Sequence, residues 1–228
     1  MDDFFELLSD EDITIIDKDH KIIQKKEGFR FSIDAVLLTN FFLPKKKGKI
    51  LDIGTGNGII PVLLLLKNKD YDITGIEIQS DIAILAKKNL EINKFGHNVK
   101  IINEDVKKYS MGNQFDYIIS NPPYMTVDGK MQNSNNLKKI GRHEIFLDLE
   151  NFILNSKRLL KPVGSITFVH RSRRLQEIVS LLTKYSFDIS RLQFVHYNRE
   201  RESNLVLIEA IKGKKLAITI EAPIFLKE

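Results

Sequence analysis

The chain has 228 residues, 43% apolar and 29% charged, with no cysteine and a net charge of +5. These values describe a globular chain of one domain with appendages. They exclude disordered and fibrous classes, disulfide scaffolds, cysteine–zinc sites and thiol catalysis. The longest apolar run, residues 59–66, is far short of the roughly 20 residues of a membrane span. The acidic N-terminus lacks the basic start of a secretory signal, so a reducing cytoplasm is the expected compartment.

In chain order, residues 14–16 and 22–24 read as a small hairpin, and Ser32 as the N-cap of a helix. Strands are expected at 49–53, 73–77, 99–103, 115–120, 164–169, 191–197 and 204–211. Helices are expected at 58–67, 81–93, 147–160 and 173–184. Within 81–93, Ile82, Leu85, Ala86 and Leu90 recur at helical spacing, while Lys87, Lys88 and Glu91 lie mainly on the other side. This alternation predicts an α/β fold, a parallel sheet with helices on both faces. Only six residues, 198–203, separate the last two strands. That is too few for a parallel crossover, so the pair is antiparallel. The expected architecture is a seven-stranded, mostly parallel sheet with its last strand antiparallel. Residues 1–48 are an extension with the hairpin and a lead-in helix, 49–212 the sheet domain, and 213–228 a tail with room for one more strand. Residues 125–145 form a polar insertion longer than an ordinary loop.

Charge is unevenly spread. Residues 1–12 hold six Asp and Glu and no Lys or Arg, whereas 130–215 hold 17 Lys and Arg against eight Asp and Glu. A basic half suits a polyanion such as RNA; the alternative is a solvated, lysine-rich surface.

Four segments carry chemistry. Ile50-Leu51-Asp52-Ile53-Gly54-Thr55-Gly56-Asn57-Gly58 is an apolar strand running into a glycine-rich turn. The glycines allow positive φ and close approach of a ligand. Asp52 would repel a phosphate but suits a sulfonium and an ammonium group. No Gly-Lys-Ser/Thr ending follows, so this is no triphosphate loop. The bland alternative is a tight structural turn. Glu77, in Gly75-Ile76-Glu77-Ile78, lies 19 residues after Gly58. That is the spacing at which a ribose diol meets its carboxylate, unless it is an ordinary strand-end Glu. Asp105, after Asn103-Glu104, is placed to accept from an adenine amine while Val106 packs on the ring, or else it caps its own turn.

Asn121-Pro122-Pro123-Tyr124 is the most specific segment. Its prolines fix φ and lack an N–H. The Asn121 side-chain oxygen and the Pro122 carbonyl therefore stand as two preorganised acceptors. A planar exocyclic amine donates two hydrogen bonds, and its lone pair is delocalised into the ring. Two acceptors bias it toward tetrahedral geometry, with the lone pair aimed at an electrophilic methyl. Tyr124 offers a stacking face. The alternative is a plain turn with a packed Tyr.

In order and spacing these segments resemble class I S-adenosylmethionine-dependent methyltransferases of the Asn-Pro-Pro-Tyr subgroup, Rossmann-like enzymes that modify planar exocyclic or amide nitrogens. Residues 28–38, 52–61, 75–79, 121–124, 142–144 and 204–210 are more narrowly similar to the bacterial tRNA1(Val) adenine-N6 methyltransferase family. The resemblance covers about residues 20–212 and implies S-adenosylmethionine as cofactor. It implies Asp52, Gly54, Gly56, Asn57 and Gly58 around the methionine portion, Glu77 and Ile78 at the ribose, and Asp105 and Val106 at the adenine. Arg30 would face the cofactor carboxylate or the substrate backbone, or form a surface ion pair. Asn121, Pro122, Pro123 and Tyr124 would take the target base, the adenosine 3′ of the anticodon of a tRNA. Arg142, Arg171, Arg173 and Arg174 are candidate phosphate contacts, with solvated loop and helix positions as the alternative. His143, His170 and His196 lack metal-ligand spacing, so no metal is expected. A monomer and a homodimer are both compatible with the sequence. The rivals are an N5-glutamine methyltransferase acting on a release factor, an rRNA or DNA base methyltransferase, and a non-catalytic RNA-binding module.

Overall fold

Ile50, Leu51, Asp52 and Ile53 are each no more than 1% exposed. The strand that holds them, β3 (Lys49–Ile53), is therefore covered on both faces, as an apolar run in a parallel sheet requires. The computed structural model describes residues 7–27, 32–122 and 148–227. The strands β1 (Glu11–Ile15) and β2 (Lys21–Lys25) form an antiparallel hairpin in which Ile13 faces Ile23. Then follow α1 (Ile33–Phe41), β3, α2 (Ile59–Lys67), β4 (Asp72–Glu77), α3 (Ser80–Ile92), β5 (Val99–Asn103) and β6 (Phe115–Ser120). After these come α4 (Leu149–Leu159), β7 (Leu160–Arg171), α5 (Leu175–Lys184), β8 (Phe187–His196) and β9 (Ser203–Lys212). The chain closes with β10 (Thr219–Ile220) and β11 (Ile224–Phe225).

The main sheet runs β10-β8-β9-β7-β6-β3-β4-β5, with β11 also on β8. Neighbours from β7 to β5 are parallel. The antiparallel strand β9 pairs with both β7 and β8, so it lies inside the sheet and not at its edge. All seven expected strands are present, and two begin four residues earlier than their sequence patterns indicated. β7 begins at Leu160 and crosses Pro162, Val163 and Gly164 through an irregularity: Phe115 pairs with Leu160, but Tyr117 with Ser165. Val163 takes φ of 62° there, so the backbone absorbs the Pro and Gly as a bulge where the sequence suggested a break. β8 begins at Phe187 because buried Phe187, Ile189 and Leu192 alternate with half-buried polar neighbours.

Period-2 alternation divides the apolar side chains into two layers. Ile50, Ile119 and Leu207 join Leu38 of α1, Leu64 of α2 and Leu90 of α3. Leu51, Ile118 and Ile208 join Phe152 of α4 and Leu182 of α5. Phe152 meets Phe168 edge to face, with ring centroids 5.4 Å apart. Asp52, between Leu51 and Ile53, turns toward the first layer.

Arg191 of β8 fastens the outlying segments. Its Nε donates to Glu209 Oε2 at 2.6 Å, Nη1 to Glu221 Oε1 at 2.8 Å, and Nη2 to the Phe41 carbonyl at 2.7 Å. Its guanidinium also lies 4.2 Å over the Phe41 ring. One side chain thus joins β8, β9, the tail and the end of α1. Among the described residues no helix is long and apolar enough to cross a membrane.

Candidate active site

The chain steps from β3 through β4 to β5, then returns to the other side of β3 at β6. Crossovers diverge at that line and leave a crevice at the carboxyl ends of the strands. A cleft opens there. It is lined by Gly54, Thr55, Gly56 and Asn57 after β3, by Ser32 and Ala35 at the start of α1, by Ile59 and Ile60 of α2, and by Asn121 after β6. The Ser120 hydroxyl donates to the Ile53 carbonyl at 2.7 Å. This pins the ends of β3 and β6 together, so Asn121 emerges beside the glycine loop. Ser32 holds the expected N-cap position, though its hydroxyl makes no capping bond.

Gly54, Gly56 and Gly58 have φ of 70°, 56° and 83°, the left-handed region that other residues rarely enter. Space above the α-carbons of Gly54 and Gly56 is open, while a Cβ on Gly58 would meet Ala86 of α3 at 3.4 Å. The loop is bonded to the end of β4. Gly54 and Thr55 N–H donate to the Ile76 carbonyl at 2.9 and 3.0 Å, and Gly56 N–H donates to Glu77 Oε2 at 3.0 Å. Glu77 Oε1 accepts from Gln79 N–H at 3.0 Å. Burial raises the Glu77 pKa, and these N–H groups partly offset it. Gln79 Nε2 adds a third, longer contact to Oε1 at 3.4 Å; an ionised carboxylate has about four acceptor sites, so Oε2 retains one for a ribose hydroxyl.

Asp52 stands behind the loop, fully buried, and neither of its carboxylate oxygens has a hydrogen-bond partner among the described residues. Burial pushes its pKa up to about 7; the nearby Thr55 hydroxyl opposes the rise and the Glu77 charge adds to it. Thr55 Oγ1 does not reach hydrogen-bond geometry, and is itself unpartnered. Buried acceptors without donors call for one. A cationic group rich in N–H, such as the amino end of S-adenosylmethionine, fits them.

The pH dependence follows from the raised value. Between the ordinary 3.8 and about 7 the folded chain keeps a proton on Asp52 that the unfolded chain releases. The cost of burying Asp52 as a charge is therefore absent below the lower value, grows as pH rises, and levels off above the upper one. Asp52→Asn is expected to raise the Tm of the ligand-free protein by an amount that increases from pH 4 to pH 7 and is then constant. The same substitution should weaken S-adenosylhomocysteine binding. Thermal scans across pH and calorimetry check the two halves.

The other sequence-predicted residues are placed less uniformly. Asp105 is turned onto its own loop: Oδ1 accepts from Lys107 N–H at 2.9 Å, and its carbonyl accepts from Lys108 and Tyr109 N–H. These bonds cap the turn. Val106 is 6% exposed and packs in the second apolar layer. Neither lines the cleft. Ile78 is half-buried, and its carbonyl and that of Glu77 accept from Asn103 Nδ2 at 3.1 and 2.8 Å, joining the ends of β4 and β5. Pro122 is buried.

The arginines at the end of β7 and just after it are mostly engaged. Arg171 Nη1 donates to Asn204 Oδ1 at 2.8 Å. Arg174 forks onto Glu177 at 2.8 and 2.5 Å and lies 3.4 Å from His170 Nε2. Burial first, and then the Arg174 charge, push His170 down to about 4, so it is neutral near pH 7. Arg173 is exposed and, among the described residues, makes no hydrogen bond or ion pair. Arg30, Pro123, Tyr124 and Arg142 lie outside the described residues.

Asn89 of α3 and Asn93, the C-cap of that helix, prove central although the sequence did not single them out. Asn89 donates to the carbonyls of Ile23 and Asn57, each at 2.8 Å, and Asn93 donates to that of Lys21 at 2.7 Å. Among the described residues no three His, Asp or Glu side chains converge to hold a metal ion.

The family model of the methyltransferase small domain matches residues 31–188, which takes in α1, the glycine loop and Asn121. The chain is 31% identical over 201 residues to the tRNA1(Val) (adenine(37)-N6)-methyltransferase of Porphyromonas gingivalis, covering 84% of this chain and 78% of that one. It is 26% identical over 212 residues to the protein of the same name from Tolumonas auensis, covering 92% and 87%. In fold it is similar to a predicted O-methyltransferase from Agrobacterium tumefaciens, with a TM-score of 0.66 at 18% identity over 84% and 86% of the two chains. With the glycine loop and Asn121 on one cleft at the reversal of the sheet, and the family model spanning both, the chain belongs to the methyltransferase small domain family, class I enzymes whose cofactor is S-adenosylmethionine.

Proposed function

We propose that this chain methylates N6 of an adenine in tRNA, at the adenosine 3′ of the anticodon of tRNA(Val). The reading is carried by Asn121 opening onto the same cleft as Gly54–Asn57. It is supported by relatives of that name that match most of both chains. When bound, S-adenosylmethionine supplies the electrophilic methyl group. Gly54, Gly56, Asn57 and Gly58 cradle its methionine end above Asp52, and Glu77 with Ile78 takes its ribose. Asn121 Oδ1 and the Pro122 carbonyl accept the two N–H groups of the target amine and hold its lone pair toward the methyl. Catalysis is then mainly orientation and preorganised hydrogen-bond acceptance. No strong general base is required, because the methylated amine is acidic and sheds its proton to water. By their place in the motifs, Pro123 stiffens the turn, Tyr124 stacks on the base and Arg30 pairs with the cofactor carboxylate. The base leaves its stack to enter, as for other enzymes that act on nucleobases. Such a substrate places the enzyme in the cytoplasm.

The test uses methyl-labelled cofactor with separate pools. These are tRNA(Val), the same tRNA with guanosine 3′ of the anticodon, rRNA, duplex DNA and a release factor. Label is expected only in unaltered tRNA(Val), recovered on digestion as N6-methyladenosine. Label in a glutamine side chain, in rRNA or in the altered tRNA would overturn the reading. For the RNA surface, Arg173 is the phosphate contact of the basic turn. Arg173→Ala should weaken tRNA binding and flatten the log–log salt slope by about 0.7–0.9. Arg174→Ala should change it less, since that charge is already spent on Glu177. Anisotropy titrations at several salt concentrations read both.

A further inference from the structure

Asn89 lies in the middle of α3 with no exposure, and its amide meets three backbone groups. Oδ1 accepts from Ile23 N–H at 2.8 Å, and Nδ2 donates to the Ile23 and Asn57 carbonyls, each at 2.8 Å. One turn later Asn93 Oδ1 accepts from Lys21 N–H at 3.1 Å, and Nδ2 donates to the Lys21 carbonyl at 2.7 Å. Four helical residues rise about 6.0 Å and two strand residues about 6.6–6.8 Å. The two amides therefore match alternate residues of β2 and serve it as a substitute strand. Lys88 of α3 reaches Glu11 of β1 at 3.0 Å, which closes the same contact from the other strand.

Among the described residues, Asn89 also reaches beyond the hairpin to the glycine loop. Asn57 lines the cleft between Gly56 and Gly58, both left-handed. Glycines prefer neither sign of φ, so they do not by themselves hold the peptide between them in one orientation. The Gly58 N–H donates to the Thr55 carbonyl at 3.0 Å, which holds the N–H side of the Asn57–Gly58 peptide; the Ile23 N–H acts indirectly on the carbonyl side. It fixes which end of the Asn89 amide is oxygen, and so presents an N–H to Asn57.

We propose that Asn89 is a positioning residue for the cofactor loop. Its amide holds the Asn57 carbonyl and thereby selects the loop shape that receives the methionine end of S-adenosylmethionine. The proposal rests on the cofactor reading of the cleft. Without that donor the loop samples other shapes, and affinity falls by the fraction of time it spends in the competent one. The effect belongs to cofactor binding and not to the methyl-transfer step.

Calorimetry with S-adenosylhomocysteine on the full chain tests this, alongside melting curves. Asn89→Ala removes the amide. Asn89→Leu keeps the branched shape of the side chain but has no donor for Asn57, and it serves if the cavity left by alanine prevents folding. Asn93→Ala loosens the hairpin without touching the loop. Both Asn89 variants are expected to bind about tenfold or more weakly, the size of effect when a buried carbonyl loses its donor. Their turnover at saturating cofactor should be preserved, so the loss appears in KM and not in kcat. Asn93→Ala should melt earlier yet bind as the wild type does. Unchanged affinity in the Asn89 variants, or an equal loss in Asn93→Ala, would overturn the proposal alone. A wild-type protein that bound no S-adenosylhomocysteine would overturn the cofactor reading and this proposal with it.

Discussion

Asn121→Ala should lower turnover by about 10²–10³-fold, the cost of removing one preorganised polar group that meets developing charge. Affinity for S-adenosylhomocysteine and for tRNA should hardly change. Asn121 follows β6, whose end is tied to β3 by the Ser120–Ile53 hydrogen bond. Its position relative to the glycine loop is thus set by the sheet and not by a flexible segment. The hydrogen bond it accepts strengthens as the amine becomes tetrahedral, so its loss falls on the transition state. Tyr124→Ala, which removes a stacking face, should instead raise KM for tRNA as well as lower kcat. If Asn121 only capped its turn, the alanine variant would melt earlier while each folded molecule kept turnover within a few-fold of wild type. Measuring melting and turnover on one preparation separates the two roles.

Arg191→Ala should be the most destabilising of the single changes considered. It leaves Glu209, 6% exposed, as a buried charge without its nearest cation, and takes a donor from Glu221 and from the Phe41 carbonyl. Removing one partner of a buried pair costs about 3–5 kcal/mol. For a chain of this length that lowers Tm by roughly 6–20 °C. Lysine should recover little, because one ammonium cannot reach three divergent acceptors and stack on a ring. Arg191→Met combined with Glu209→Leu should recover much of the loss, since no buried charge is then left unpaired. A melting temperature for Arg191→Ala within a degree or two of wild type would show that water replaces the guanidinium without cost.

The parts of the fold visible in the sequence are those that depend on near neighbours. Gly54, Gly56 and Gly58 announce a left-handed turn because few other residues tolerate it. The six-residue connection to β9 dictates that strand's direction. Its place between β7 and β8 is not visible, since strand order is settled by distant pairing. Pro162 and Gly164 mimic the end of a loop because a bulge admits both. Asp52 is legible as an acid at a strand end, but its burial behind the loop is not. Arg174 resembles a free phosphate contact until Glu177, three residues on, is weighed against it. Asn89 and Asn93 look like ordinary polar positions on and just after α3. Nothing near them in sequence reveals that Ile23, 66 residues from Asn89, lies against the helix.

β8 is ten residues long and would be the outermost strand of the sheet but for the tail. A bare edge of that length offers a row of unpaired N–H and C=O groups to any other chain that can extend beside it. Thr219–Ile220 and Ile224–Phe225 lie along it instead. Between and beyond them, Glu221 N–H donates to the Leu192 carbonyl and Leu226 N–H to that of His196. The covering segments are two residues each, long enough to occupy the edge and too short to template another. The segment thereby takes up edge groups of β8 through which another copy could pair in an amyloid-like way.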